Sequence, residues 1–326
     1  MNKVSIIIPV YNASGYIEKC VDSFLTGTYQ NIEIILMNDG STDNSPDIIR
    51  NLERNNPKKI KVYTHKNCGV AKTRNKGITY ATGKYVMFCD NDDYVDKDYV
   101  EKLVREIKEG DYDYVVSSFK RVDVNGKILY QKKYKNYPWT YYMFVTPWAK
   151  IFKREFLIEN NIQYMDVPVG EDIYFTMNAN WKSKKKKVIP YVGYNWLYNE
   201  TSISNTVHKK HSSNNAEKLE KLFRELLKSY EQNKENVNLS EIRYFLLKTL
   251  IWYSLYSTKE SDVDSLYTDY KKLKSICDKD LSDIYQGVSL FKPKGESIKV
   301  RFIVKMVVIL DKIKLLKPIL KLYSKI

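Results

Sequence analysis

The 326 residues carry 54 Lys and Arg against 39 Asp and Glu, a formal net charge of +15. That length can bury a full α/β core with material left for a smaller unit, and the charge points to an anionic partner: a nucleic acid, a nucleotide or a lipid surface. The apolar stretch after Met1-Asn2-Lys3 is too short for a signal peptide. The four cysteines lack C-x-x-C spacing, which favours reduced thiols over a zinc site, and no apolar run approaches the roughly 20 residues of a membrane span. A cytoplasmic protein is expected.

Val4 to Val10 reads as a buried strand, and Tyr11-Asn12-Ala13-Ser14-Gly15 turns the chain into a helix. On that helix Ile17, Val21, Phe24 and Leu25 share one face, with Gly27 as its stop. Ile32 to Met37 forms a second strand, followed by the polar loop from Asn38, after which Ser45 caps a helix opened by Pro46. Ile60 to Thr64 gives a short third strand, and Gly69 to Ile78 opens another helix. The unbroken apolar run Tyr85 to Cys89 suits a central strand covered on both faces. Val100, Leu103, Val104 and Ile107 then mark an amphipathic helix, and Tyr114-Val115-Val116 resumes the sheet. This alternation predicts an α/β fold: a doubly wound, mainly parallel sheet with helices on both faces.

From about Asp123 the alternation stops. Asn125-Gly126 reads as a hairpin turn, and Tyr130 to Tyr142, rich in aromatic and basic residues, is expected to form an insert or acceptor wall. Pro147 to Phe152 leads into a short helix, Gly170-Glu171-Asp172 sets two acids at the mouth of another, and Val188 to Tyr194 is a late strand. The run Lys184 to Lys187 reads as a solvated turn. Beyond about His211 the pattern is helical, so the expected domains are 1–210 and 211–326.

In an open α/β sheet the first polar residues beyond a buried strand point into the site. After Cys89 these are Asp90, Asn91, Asp92 and Asp93, and in an extended segment Asp90 and Asp92 face the same side. A cation would relieve their repulsion, and hard oxygen donors suit Mg²⁺ or Mn²⁺ shared with a substrate phosphate. An Asx turn capping the next helix is the plainer alternative.

Six pieces in order carry a resemblance: Ile8-Pro9-Val10-Tyr11-Asn12, Asn38-Asp39-Gly40-Ser41-Thr42-Asp43, Arg74-Asn75-Lys76-Gly77-Ile78, Asp90-Asn91-Asp92-Asp93, Pro147-Trp148-Ala149-Lys150, and Gly170-Glu171-Asp172. Over about residues 3 to 205 the chain resembles the inverting family 2 glycosyltransferases of GT-A, Rossmann-like fold, small bacterial members of which build surface polysaccharides such as capsules. The resemblance implies transfer of a hexose or N-acetylhexosamine from a UDP-sugar to a glycan acceptor, polyprenyl-linked, with Mn²⁺ or Mg²⁺ as cofactor.

By that resemblance Asp39 accepts the uracil N3–H, while Pro9, Tyr11, Asn12, Ser41 and Asn75 line the nucleotide. Arg74 pairs with the diphosphate, Asp90 with ribose or metal, and Asp92 is the nearest metal ligand, with Asp93 a second choice. Asp172 is the base that takes the acceptor proton and Glu171 orients it or hydrogen-bonds the acceptor, the reverse assignment remaining open. Trp148 offers a face for a sugar ring and Lys150 a donor to acceptor or phosphate, a core Trp being the alternative. The chain departs from the family at Asn199-Glu200 before Ser202-Ile203-Ser204, where relatives often carry Arg or Lys, so a diphosphate contact there is in doubt.

Three other classes fit less well. A sugar-1-phosphate nucleotidyltransferase should carry a Gly-rich phosphate loop after the first strand, and a Ca²⁺-dependent sugar-binding module of EF-hand type lacks the next ligand, since Tyr94 and Val95 stand where oxygen and Gly are needed. A nucleic-acid binder would not set acids in its cleft. Finally, Ile298 to Ile326 has apolar residues at helical spacing among Lys and Arg, with Pro318 expected to kink or end the helix. Such a tail is expected to hold the protein peripherally at the inner face of the cell membrane. The alternative is packing on the preceding helices or on a second subunit, as in a homo-oligomer.

Overall fold

A computed structural model describes residues 2–166, 170–199, 213–256, 258 and 262–325. The chain divides into two compact units, one of residues 1–136 with 145–198 and one of 137–144 with 199–326. The expected boundary between 210 and 211, and the Glu200 to Ser204 part of the loop noted above, lie outside the described residues.

The first unit is built on a nine-stranded sheet. Strands β1 (Val4–Val10), β2 (Ile32–Asn38), β3 (Ile60–Thr64) and β4 (Tyr85–Phe88) are parallel and ordered β3-β2-β1-β4. β1, β2 and β4 are buried along their whole length, as their apolar runs require. Helices α1 (Ile17–Leu25), α2 (Ser45–Asn55) and α3 (Val70–Tyr80) follow the first three strands. α3 lies close on the sheet at Gly77, where a Cβ would stand 2.4 Å from the Ile7 side chain. Pro46 sits in the first turn of α2 as expected, but Ser45 is the first helical residue and its hydroxyl accepts the Ala13 amide at 2.7 Å.

The other half of the sheet is mixed. After the two-residue β5 (Tyr94–Val95) and helix α4 (Tyr99–Glu109) come β6 (Tyr114–Val122) and β7 (Ile128–Lys132), joined through Asn125-Gly126 as an antiparallel hairpin. A single turn α5 (Thr140–Met143) belongs to the second unit. β8 (Lys150–Lys153) then inserts between β4 and β6, antiparallel to both. Helices α6 (Arg154–Glu159) and α7 (Glu171–Lys182) lead to the long β9 (Lys186–Leu197), parallel to β6 and antiparallel to β5. The expected α/β architecture is present, with its parallelism confined largely to the first half. The Lys184 to Lys187 run enters β9 rather than forming only a turn.

The second unit is helical: α8 (Ser213–Gln232), α9 (Leu239–Tyr256), α10 (Val263–Leu281), α11 (Ile298–Lys312) and α12 (Leu316–Tyr323). Trp139, buried, donates to Glu296 at 3.2 Å and meets the Tyr244 ring edge-on, tying the 137–144 segment to these helices. The break between α11 and α12 falls at Lys314, with φ +62, rather than at Pro318. Pro318 occupies the first turn of α12, where its missing N–H costs no helical hydrogen bond.

Candidate active site

The parallel strands deliver their following loops to one edge of the sheet, and these loops are cross-tied. The Asn12 amide donates to Ser41 Oγ at 3.1 Å, and Asn12 Oδ1 accepts the Thr42 amide at 2.8 Å. Asn91 Nδ2 donates to the Pro9 carbonyl at 2.9 Å, joining the acidic loop to the end of β1. Asn12 and Ser41 thus fix one loop on another, while Tyr11 leaves half of its surface exposed beside them.

Asp39 follows β2, and its amide donates to the Val10 carbonyl at 2.9 Å. Gly40 makes the turn at φ +72, where a Cβ would lie 2.9 Å from the Asn67 amide nitrogen. The Asp39 carboxylate is buried and accepts the amides of Cys68 at 2.7 Å and Gly69 at 3.0 Å. Each oxygen retains a lone pair for one further donor. His65 Nδ1 stands 3.3 Å from Asp39 Oδ1, and Cys68 Sγ stands 3.6 Å from that nitrogen. Among the described residues Asp39, His65 and Cys68 form a group whose ligand atoms lie within 4.8 Å of one another, a set able to hold a divalent metal.

Arg74, from the buried face of α3, is the hub of the acidic side. Its Nη2 donates to Asp90 and its Nη1 to Asp172, both at 2.8 Å, with the guanidinium side chain only 5% exposed. Burial opposes its charge, but Asp172 and Asp90 more than offset that and hold it protonated. The guanidinium also lies over the Tyr164 ring. Asn75 clamps that residue from both sides, donating to the Tyr164 carbonyl and accepting its amide at 2.8 Å each. The Asn75 amide thus holds a wall of the site in place.

Asp172 begins α7 beside Glu171, after Gly170 turns at φ +90. Its side chain keeps 31% of its surface exposed. Burial pushes its carboxyl up to about 7; Arg74 and Lys150 oppose the rise, while Glu171 and Asp90 add to it. A carboxyl titrating near neutrality is suited to proton abstraction.

In the acidic loop, burial and the neighbouring Asp90 charge push Asp92 up to about 6. A divalent cation at these two hard carboxylates would remove that repulsion, so Asp90 and Asp92 fit Mn²⁺ or Mg²⁺ better than the sulfur-containing Asp39 group does. Asp93 does not join them. It is buried, accepts the Tyr194 hydroxyl at 2.5 Å and the Leu197 amide at 2.9 Å, and locks the loop onto β9.

The expected acceptor residues Trp148 and Lys150 lie just before β8 and at its first position. Trp148 is 4% exposed, stacked on Tyr194 at 4.7 Å between centroids with Phe119 edge-on at 5.1 Å. Lys150 is 3% exposed and donates to the Thr146 carbonyl, and burial drives its ammonium well below the usual lysine range with Asp172 resisting. Lys150 is buried because β8 lies inside the sheet, and Trp148 because it packs on the aromatic side chains of β6 and β9. Sequence reasoning passed over Tyr164, His65 and Cys68. His65 and Cys68 follow β3, where the strand-end rule used elsewhere would have flagged them, whereas Tyr164 follows α6 with no motif to mark it.

Residues 5–170 match the family model described as Glycosyl transferase family 2. The chain is 30% identical over 203 residues to "Glycosyltransferase GlyA" of Streptococcus pneumoniae serotype 4, covering 56% of this chain and 29% of that protein. It is 27% identical over 297 residues to "Putative glycosyltransferase EpsH" of Bacillus subtilis, covering 84% and 83%. Among solved structures, S. aureus TarS 1-349 in complex with UDP superposes with a TM-score of 0.67 at 19% identity, covering 95% of this chain and 92% of that one. At that identity the likeness carries the fold, which is GT-A with a C-terminal helical region.

Proposed function

The chain belongs to glycosyl transferase family 2, and on that premise we propose an inverting, metal-dependent transfer of a hexose or N-acetylhexosamine from a UDP-sugar to a hydroxyl of a polyprenyl-linked glycan. The product would be a bacterial surface polysaccharide, and the enzyme would work peripherally at the inner face of the cell membrane. The observation that carries the reading is the Arg74 bridge, which joins the acid of the donor loop, Asp90, to the candidate base, Asp172, at 2.8 Å each. A UDP donor is supported by TarS, crystallised with UDP and with UDP-GlcNAc.

In this reading Tyr11 and Asp39 receive the uracil, Asp39 accepting N3–H on a free lone pair. Asp172 takes the acceptor proton, the acceptor oxygen bonds to the anomeric carbon from the opposite face, and the bond to the β-phosphate breaks with its electron pair leaving on UDP. Arg74 holds Asp172 at the required place and supplies fixed positive charge beside the leaving group. Asp92 and Asp90 would hold Mn²⁺ or Mg²⁺, which would supply positive charge to offset that of the diphosphate. Glu171 orients the acceptor. Lys150 acts from the core on the charge of Asp172.

The test is UDP release from UDP-glucose, UDP-galactose and UDP-N-acetylglucosamine with a polyprenyl-linked acceptor and Mn²⁺, with the product anomer read by NMR. Turnover of one donor with inverted configuration is expected. Retention of configuration, or failure of every donor while UDP gives no thermal stabilisation, would overturn the reading.

A further inference from the structure

The C-terminal helices have two apolar faces, and packing within the helical unit consumes only one. Val304, Val307 and Val308 of α11 and Leu316 and Leu320 of α12 are buried. Asp311 is turned inward, accepting the hydroxyls of Tyr267 at 3.0 Å and Tyr285 at 2.7 Å. Lys317 and Lys321 both reach Asp264 at the start of α10. These contacts settle the tail on its own unit.

The remaining apolar side chains point outward. Ile298, Phe302, Ile309 and Ile313 are 67%, 54%, 40% and 56% exposed, and Leu322 of α12 is 65% exposed. The loop before α11 adds Phe291 at 85%. Monomeric proteins rarely leave so many large apolar groups open along one short stretch. Between Ile298 and Lys325 the chain also carries eight Lys and Arg against one acid, the inward-facing Asp311.

We infer that this outward face of α11 and α12 lies in the interface of an anionic lipid bilayer, with α11 and α12 roughly in the membrane plane. Charge selects that occupant. A symmetric contact with a second copy would set like-charged lysines against one another, whereas an anionic leaflet neutralises them while the acyl boundary takes the apolar groups. No helix among the described residues is long and apolar enough to cross a membrane, so the contact is interfacial. The inference deepens the peripheral location proposed above and rests on it for its biological setting, but the surface can be tested without any donor or acceptor.

The experiment is co-sedimentation of the full chain with phosphatidylglycerol-containing vesicles and with pure phosphatidylcholine vesicles, alongside sedimentation velocity without lipid. The full chain should bind the anionic vesicles, and bind less with neutral lipid or high salt. The variant Phe302→Ser/Ile309→Ser/Ile313→Ser should lower partitioning by about 10-fold or more with its melting temperature unchanged. A second variant, Lys305→Glu/Lys314→Glu, leaves the apolar face intact and should lose the preference for anionic lipid. Absence of wild-type binding, equal binding by the serine variant, or a lipid-free dimer abolished by that variant without vesicle binding would each overturn the proposal. Vesicle binding with no donor turned over and no stabilisation by UDP would overturn the transferase reading and leave this inference, whereas transfer without vesicle binding would overturn this inference and the peripheral location and leave the transferase reading.

Discussion

Arg74 Nη1 lies 2.8 Å from Asp172 Oδ1 while its other terminal nitrogen is held by Asp90 at the same distance. A planar fork presents a separate nitrogen to each carboxylate, whereas an ammonium carries its three donors on one atom that would have to reach both from a single point. Arg74→Lys is therefore expected to keep the charge but release one carboxylate, lowering kcat by about 10-fold or more with a smaller change in UDP affinity. Steady-state kinetics with UDP titration checks this, and an unchanged kcat would remove the positioning role.

Asp172→Asn keeps the size of the side chain and much of its hydrogen bonding but cannot take a proton. Turnover should fall by about 10²-fold or more, with UDP affinity nearly constant. Because burial pushes the Asp172 carboxyl up to about 7, and only the deprotonated form is a base, kcat/KM of the wild type should rise with pH through about 7 and then level. Wild-type turnover in the variant with its fold intact would transfer the role to Glu171. A flat profile between pH 6 and 8 would contradict the titration.

The parallel half of the fold was legible because each buried strand there is an apolar run ending in a polar loop, and the loop residues Asp39 and Asp90, with Arg74 in the second turn of α3, fall where such a sheet gathers its ends. What was not legible is non-local. Nothing in Lys150 to Lys153 announces that this short strand pairs antiparallel with both β4 and β6, and that insertion is what buries Lys150, as the distant Phe119 and Tyr194 bury Trp148. Asp93 reads as one more acid of the loop until the Tyr194 hydroxyl, 101 residues away, is seen to claim it. Likewise Asn75 reads as a motif residue, and only the tertiary contact with Tyr164 shows where its hydrogen bonds go.

Asp92 links metal, stability and pH. Its pKa is raised on folding, from 3.8 to about 6, by burial and by Asp90, so the folded chain binds this proton more tightly than the unfolded one. The contribution to stability is present below the ordinary carboxylate range and is lost as pH rises toward and through about 6. Asp172 acts with the same sign. In chelator-treated protein, Asp92→Asn should therefore gain melting temperature relative to wild type as pH rises from 4 to 7. With Mn²⁺ at pH 7 the order should narrow or reverse, since only the wild type retains both carboxylates, and Mn²⁺-dependent UDP binding and turnover should weaken together in the variant. Parallel melting profiles across that range, or normal metal-dependent turnover, would separate Asp92 from the cation.

Asp39 offers a test of base recognition that is insensitive to loosening of its loop. Its two oxygens accept the Cys68 and Gly69 amides, so Asp39→Asn turns an N–H₂ toward one of them and should lower the melting temperature somewhat whatever the pocket binds. The ratio of two nucleotides cancels that cost. Uracil presents N3–H, a donor that a carboxylate accepts, whereas cytosine presents a bare N3 that only a donor can satisfy. The wild type should therefore prefer UDP to CDP, and Asp39→Asn, able to donate to cytosine N3, should reduce that preference by about 10-fold or more. Calorimetric titration of both nucleotides on both proteins reads the ratio directly. Equal weakening of UDP and CDP would mean that Asp39 shapes the loop without reading the base.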